Sequence, residues 1–141
     1  LLRWASRTFE VGLSIAHAQY HHHGAYLIYY SDLPGFTRLS QLYLSVIVRT
    51  HRRKFSQVHF DDMSEKEAEK IKKLCVIFRL AIVLTTARKS AEMSFKLQVD
   101  GRKLILGMGE GWHQKNPLNV ASLEIEKDIL HKQDFDLVFS Q

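Results

Sequence analysis

Over the first ninety residues apolar positions recur every three to four residues, and just after Ser90 the period changes to every second residue. Leu1, Trp4, Ala5, Phe9 and Leu13 predict a helix over residues 1–13, with Gly12 as a weak point or a place where another backbone approaches closely. A second helix is predicted over 20–30. It ends at Ser31-Asp32-Leu33-Pro34-Gly35, because proline disfavours helix in the residue before it and glycine suits a turn. Thr37 is expected to cap a third helix that runs to about Arg49 and is buried through Leu39, Leu42, Tyr43, Val46 and Ile47. Residues 52–62 read as a surface connection. Ser64 followed by Glu67 forms a capping box opening a long helix, whose apolar stripe is Ala68, Ile71, Leu74, Cys75, Phe78, Ala81, Ile82 and Thr85.

After Ser90, Met93, Phe95, Leu97 and Val99 alternate with polar residues as a strand does, and Asp100-Gly101 is a hairpin turn leading to a return strand over 102–108. Gly107, Gly109 and Gly111 read as a turn. Residues 119–133 predict a further helix capped by Asn119, and 135–139 a final strand with Phe135, Leu137 and Phe139 facing inward. The expected fold class is therefore α+β: a mainly helical body over 1–90 and a small α+β module over 91–141 with a hairpin, one helix and a last strand. No internal repeat or low-complexity tract is present.

Composition narrows the class. With 45 % hydrophobic and 25 % charged residues in 141, the chain is a folded domain and not a disordered or collagenous one. A single cysteine, Cys75, excludes an internal disulfide and fits a reducing, cytoplasmic setting. The longest apolar stretch, 74–84, carries Arg79 and falls short of the ~20 residues a bilayer span needs, so no membrane span is expected. The chain opens at Leu1, inside an apparent helix, and an N-terminal part is expected to be missing. The net charge of +5 is uneven: residues 1–60 hold seven Lys and Arg against two acids, and residues 61–141 hold thirteen of each. A polyanion is the natural partner for the first part.

Arg49-Thr50-His51-Arg52-Arg53-Lys54 concentrates that charge. Cations suit a helix C-terminus, but four packed together repel one another unless an anion is near, and Arg forks bind phosphate oxygens in pairs. Three readings stand: phosphate or polyphosphate contact through Arg49, His51, Arg52, Arg53 and Lys54, a solvated helix cap, or pairing at a protein interface. No aromatic residues interleave the run, which argues against nucleic acid as the partner. His17 and His21 share a helix face as two metal ligands would, with His22 and His23 following, but few acids or cysteines lie nearby and a structural role is the alternative. Arg79, in the most apolar turn of the long helix, requires a partner, and Glu10 and Asp32 are the expected ones. Cys75 reads as a small core residue. There is no Walker-type phosphate loop and no nucleophile elbow, so no residue is singled out as catalytic or metal-ligating.

These motifs, taken together, carry a family resemblance. Trp4, then Glu10-Val11-Gly12-Leu13-Ser14-Ile15 with His17, Tyr20 and His23-Gly24-Ala25-Tyr26-Leu27, resembles the C-terminal region of bacterial exopolyphosphatases and guanosine pentaphosphate phosphohydrolases. So do Ser31-Asp32-Leu33-Pro34-Gly35-Phe36, Val48-Arg49 with the basic run, Arg79-Leu80-Ala81, Gly111-Trp112 and Asn116-Pro117-Leu118, in order and spacing. The basic run looks more like the exopolyphosphatase branch. The resemblance implies a larger phosphoanhydride hydrolase whose N-terminal, actin-like unit holds the phosphate loops, the catalytic acid and Mg2+. This chain would then be the C-terminal half, an HD-like helical domain and a small α+β domain. It implies a homodimer, a basic channel guiding inorganic polyphosphate (or guanosine pentaphosphate in the other branch), and no cofactor within this segment. One departure stands out: Phe9 occupies the place where the family usually has His. Phenylalanine has no ligand atom, so metal-dependent HD hydrolysis is not expected here.

Overall fold

Four helices build the first part of the chain. The computed structural model describes residues 1–86 and 95–139, so Met93 and Ser94 of the expected first strand lie outside the described residues. Helix α1 is Leu2–Thr8, α2 is Tyr20–Tyr30, α3 is Arg38–Thr50 and α4 is Glu65–Thr85. The single helix expected over 1–13 is instead α1 followed by a 3-10 turn, Val11–Ser14. The cause is Gly12. A Cβ there would lie 1.8 Å from Tyr20 O and 2.6 Å from Gly24 N, so the chain leaves the helical path to lay this turn against α2.

Thr37 caps α3 as expected, its Oγ1 accepting the Ser40 N–H at 3.1 Å. The buried face of α3 is formed by Leu44, Val46, Ile47 and Val48, whereas Leu39, expected inside, is 48 % exposed. The helices α2 and α3 run antiparallel. Gln41 near the start of α3 donates to Ile28 O and Ser31 O at the end of α2, both at 2.6 Å. The capping box also forms: Ser64 N–H donates to Glu67 Oε2 at 3.0 Å, and Glu67 N–H donates to Ser64 Oγ at 3.4 Å. Tyr43 O–H donates to the other carboxylate oxygen of Glu67 at 2.5 Å.

Arg79 is 1 % exposed, and its guanidinium donates to Thr50 O and to Arg53 O, the latter at 3.1 Å. The expected partners Glu10 and Asp32 are both exposed. Carbonyl oxygens at the negative end of α3 take their place, which suits a buried cation because they supply partial charge and directed acceptors together.

The chain divides into two compact units, Leu1–Arg79 and Leu80–Gln141, so the contact boundary falls within α4, while the hydrophobic period changes near residue 90. In the second unit β1 (Lys96–Asp100) pairs antiparallel with β2 (Lys103–Gly107), Asp100 facing Lys103 across the turn. The last strand β3 (Asp136–Phe139) pairs parallel with β2, Leu104 opposite Leu137. A parallel pair requires a crossover, and helices α5 (Trp112–Lys115) and α6 (Pro117–His131) supply it. Leu104, Leu106, Leu123, Leu130 and Leu137 form the core. Two expectations are corrected here. The glycine stretch leads into a short helix, with Gly111 at φ 71° before α5. Asn119 is not the cap of α6, which begins at Pro117 after Asn116. Asn119 is buried inside it, and its amide donates to Val83 O at 2.8 Å. The fold is α+β as the pattern predicts. Among the described residues no helix is long and apolar enough to cross a membrane.

Candidate functional site

The end of α3 delivers the basic run to the surface. Arg49 stands on its last turn, His51 closes the helix, and Arg53 adopts φ 62°, reversing the chain so that neighbouring side chains spread around one opening. The result is a groove of about 640 Å3 in which Arg49, Arg52, Arg53 and Lys54 line one side. His17, His21 and His22, from the start of α2 and the segment before it, line the other, with His59 from the 3-10 turn Gln57–Phe60. No Asp or Glu is among its lining residues. Four of the five residues singled out in the sequence thus converge, and they meet histidines that linear spacing could not connect to them. The antiparallel packing of α2 on α3 makes that connection.

His51 is the exception. It is 4 % exposed, with Nδ1 2.6 Å from Val48 O and Nε2 3.4 Å from the Tyr20 hydroxyl. Phe9 packs edge-on against its ring at 5.3 Å. Burial pushes its pKa down to about 4, so at neutral pH it is uncharged. The Val48 carbonyl can only accept, so Nδ1 carries the proton and Nε2 accepts from Tyr20. The expectation that His51 contacts phosphate is therefore corrected: this side chain is buried and absent from the groove lining, with Nε2 toward the Tyr20 hydroxyl. The Arg52 guanidinium in turn lies 4.8 Å over the Tyr20 ring.

Electrostatics within the groove are one-sided. Burial first, and then neighbouring His22 and Arg49, push His21 down to about 3. His22 and His59 are also lowered, in each case by burial and then by Arg49, with Asp61 acting in the opposite sense on His59. Arg49 itself is half-buried, and burial lowers its pKa. His21, His22 and His59, each lowered by burial, stay neutral beside the arginines. Such a lining offers fixed, forked donors to an anion and no internal counter-charge.

Residues 1–127 match the family model described as Ppx/GppA phosphatase, domain III. The chain belongs to the Ppx/GppA phosphatase family. It is 36 % identical over 129 residues to a guanosine-5'-triphosphate,3'-diphosphate pyrophosphatase of Vibrio atlanticus, covering 91 % of this chain and 26 % of that protein. A protein of the same name from Vibrio parahaemolyticus is 33 % identical over the same shares. One from Vibrio cholerae is 35 % identical over 89 % of this chain and 25 % of its own length. The chain thus spans about a quarter of the length of the curated relatives it matches.

Two further sites in this Ppx/GppA domain bear on chemistry. Phe9 fills its position with packing, its ring 5.3 Å from His51 and 5.8 Å from Phe78. Among the described residues no three His, Cys, Asp or Glu side chains converge as the donor set of a metal would. Cys75 is buried, and burial pushes its thiol up to about 12, which leaves it no thiolate at neutral pH. His59 escaped the sequence reading because it sat in a segment taken for a plain connection. Its only signal there was the clustering of six of the eight histidines in the first sixty residues.

Proposed function

We propose that the groove binds chains of phosphoryl groups for cleavage in a catalytic unit elsewhere in a longer polypeptide, as part of a phosphoanhydride hydrolase. The observation that carries this reading is the convergence of Arg49, Arg52, Arg53 and Lys54 on one groove with no carboxylate among its lining residues. Several weak phosphate contacts on one flexible chain add, and a chain held here has a raised effective concentration at a linked active site. Inorganic polyphosphate is the substrate that the basic run favours. Guanosine pentaphosphate is the second reading, supported by the names of the Vibrio relatives.

The test is an anisotropy titration with long-chain polyphosphate at two salt concentrations, comparing the wild type with Arg52→Ala/Arg53→Asn. Asparagine is chosen at 53 because it tolerates the left-handed backbone there. Affinity should fall with salt, and the double variant should bind more weakly with a shallower salt slope, by about two released counterions. Unchanged affinity in the variant sinks the assignment. The competing reading, a dimerisation domain whose cations are merely solvated, predicts a tight dimer by sedimentation and no polyanion affinity.

A further inference from the structure

Among the described residues, Arg52 is the groove cation that rests on an aromatic ring, its guanidinium carbon 4.8 Å from the centroid of Tyr20. It is half-buried, whereas Arg53 and Lys54 beside it are exposed. Tyr20 itself is absent from the groove lining, so any influence it has on an anion passes through Arg52. The tyrosine is held at both ends. At its backbone, Gly12 packs so closely on the Tyr20 carbonyl that a Cβ there would lie 1.8 Å from the oxygen. Gln19, the residue before it, adopts φ 54°, an uncommon conformation for a residue with a side chain, and there the chain turns into α2. At the far end the hydroxyl meets Nε2 of His51 at 3.4 Å, with the two rings 5.6 Å apart. The His51 ring is fixed in turn, with Nδ1 2.6 Å from Val48 O and Phe9 edge-on against it.

A ring so anchored is a fixed seat for a cation. Its face attracts the guanidinium through the ring quadrupole. It presents no directed acceptor, so the seat leaves the five N–H donors of the arginine to other partners. Among the described residues no hydrogen bond or ion pair occupies that fork, and the groove it lines holds no carboxylate. A long side chain that is already seated also loses less freedom when an anion arrives than one moving in solvent does. We propose that Tyr20 is a positioning residue for the anion site, its ring holding Arg52 with the fork free for phosphoryl oxygens. This rests on the phosphate-binding reading of the groove and names the residue that orders one of its guanidinium groups. Tyr20 touches no anion; it acts by where it keeps Arg52.

The experiment is a double-mutant cycle on affinity for long-chain inorganic polyphosphate at one pH and salt concentration, with circular dichroism checking the fold of each variant. Tyr20→Leu removes the ring and should weaken binding about three- to tenfold, the range set by losing a cation–ring contact and re-ordering one long side chain. Tyr20→Phe keeps the ring and should stay within about twofold of wild type. In an Arg52→Ala background Tyr20→Leu should have no further effect, because its route to the anion is gone. A merely structural role would instead weaken binding through the other cations in both backgrounds. A second measurement needs no Tyr20 variant: the Arg52 side-chain Nε–H resonance, assigned by its absence in Arg52→Ala, should be shifted upfield in wild type by the ring current of Tyr20. Wild-type affinity in Tyr20→Leu, a comparable loss in both backgrounds, Tyr20→Phe as weak as Tyr20→Leu, or an Arg52 resonance at the ordinary arginine position each overturns the positioning role and leaves the phosphate groove standing. Failure of the wild type to bind polyphosphate overturns the groove reading and this assignment with it.

Discussion

Lowering the pH should destabilise the first unit through His51. In the folded chain its pKa is about 4, against an ordinary 6.5, because burial disfavours the imidazolium. Between those values the unfolded chain holds a proton that the folded chain refuses. Stability from this residue is therefore fully present above pH 6.5 and is lost as pH falls toward 4. From the two pKa values, the loss is about 1 kcal/mol at pH 5.5 and about 3 kcal/mol at pH 4, after which the curve flattens. Urea denaturation across this range, followed by circular dichroism, measures it. Other lowered histidines act in the same direction, so His51→Asn serves as the reference: the asparagine amide can keep the bond to Val48 O but does not titrate. The wild type should lose about 3 kcal/mol more than the variant between pH 7 and pH 4. Parallel stability curves for the two proteins would refute the claim that His51 is held neutral by its burial.

Three more outcomes follow from particular contacts. Gly12→Ala should cost about 3 kcal/mol or more in denaturant titration, because the obstruction is the Tyr20 carbonyl and not a movable side-chain tip; a variant as stable as wild type would show that the Val11–Ser14 turn does not lie against α2. Ser64→Ala removes the bonds that Ser64 Oγ makes with the Glu67 N–H and carboxylate while keeping the Ser64 N–H bond, and should lower stability by about 1 kcal/mol, read as a drop in Tm of a few degrees. Cys75 should resist a thiol reagent at pH 8 in the native protein and react fully in urea, and rapid native labelling would contradict its burial.

Helix α2, the Thr37 cap, the Ser64–Glu67 box and the hairpin at Asp100-Gly101 were legible in the sequence because each is decided within a few residues. The elements that departed from expectation answer to distant ones. The break after α1 exists because α2 comes within backbone contact of Gly12, and the role of Asn119 is set by carbonyls at the end of α4. The basic run announced its chemistry, but the sequence could not tell which of its members faces outward. His51 sits beside Arg52 in the chain, and it is the Val48 carbonyl and the aromatic packing of Phe9 and Tyr20 that assign it to the interior.

The reach of Arg79 beneath the loop has a consequence for how this surface can vary. A side chain rooted in α4 grips the carbonyls of Thr50 and Arg53 from the inside, so the path of the loop is dictated by the interior. The exposed Lys54 side chain is thereby released from any duty to hold shape. Changing it alters the charge that the surface presents without altering the path of the loop, so charge and shape can vary independently here.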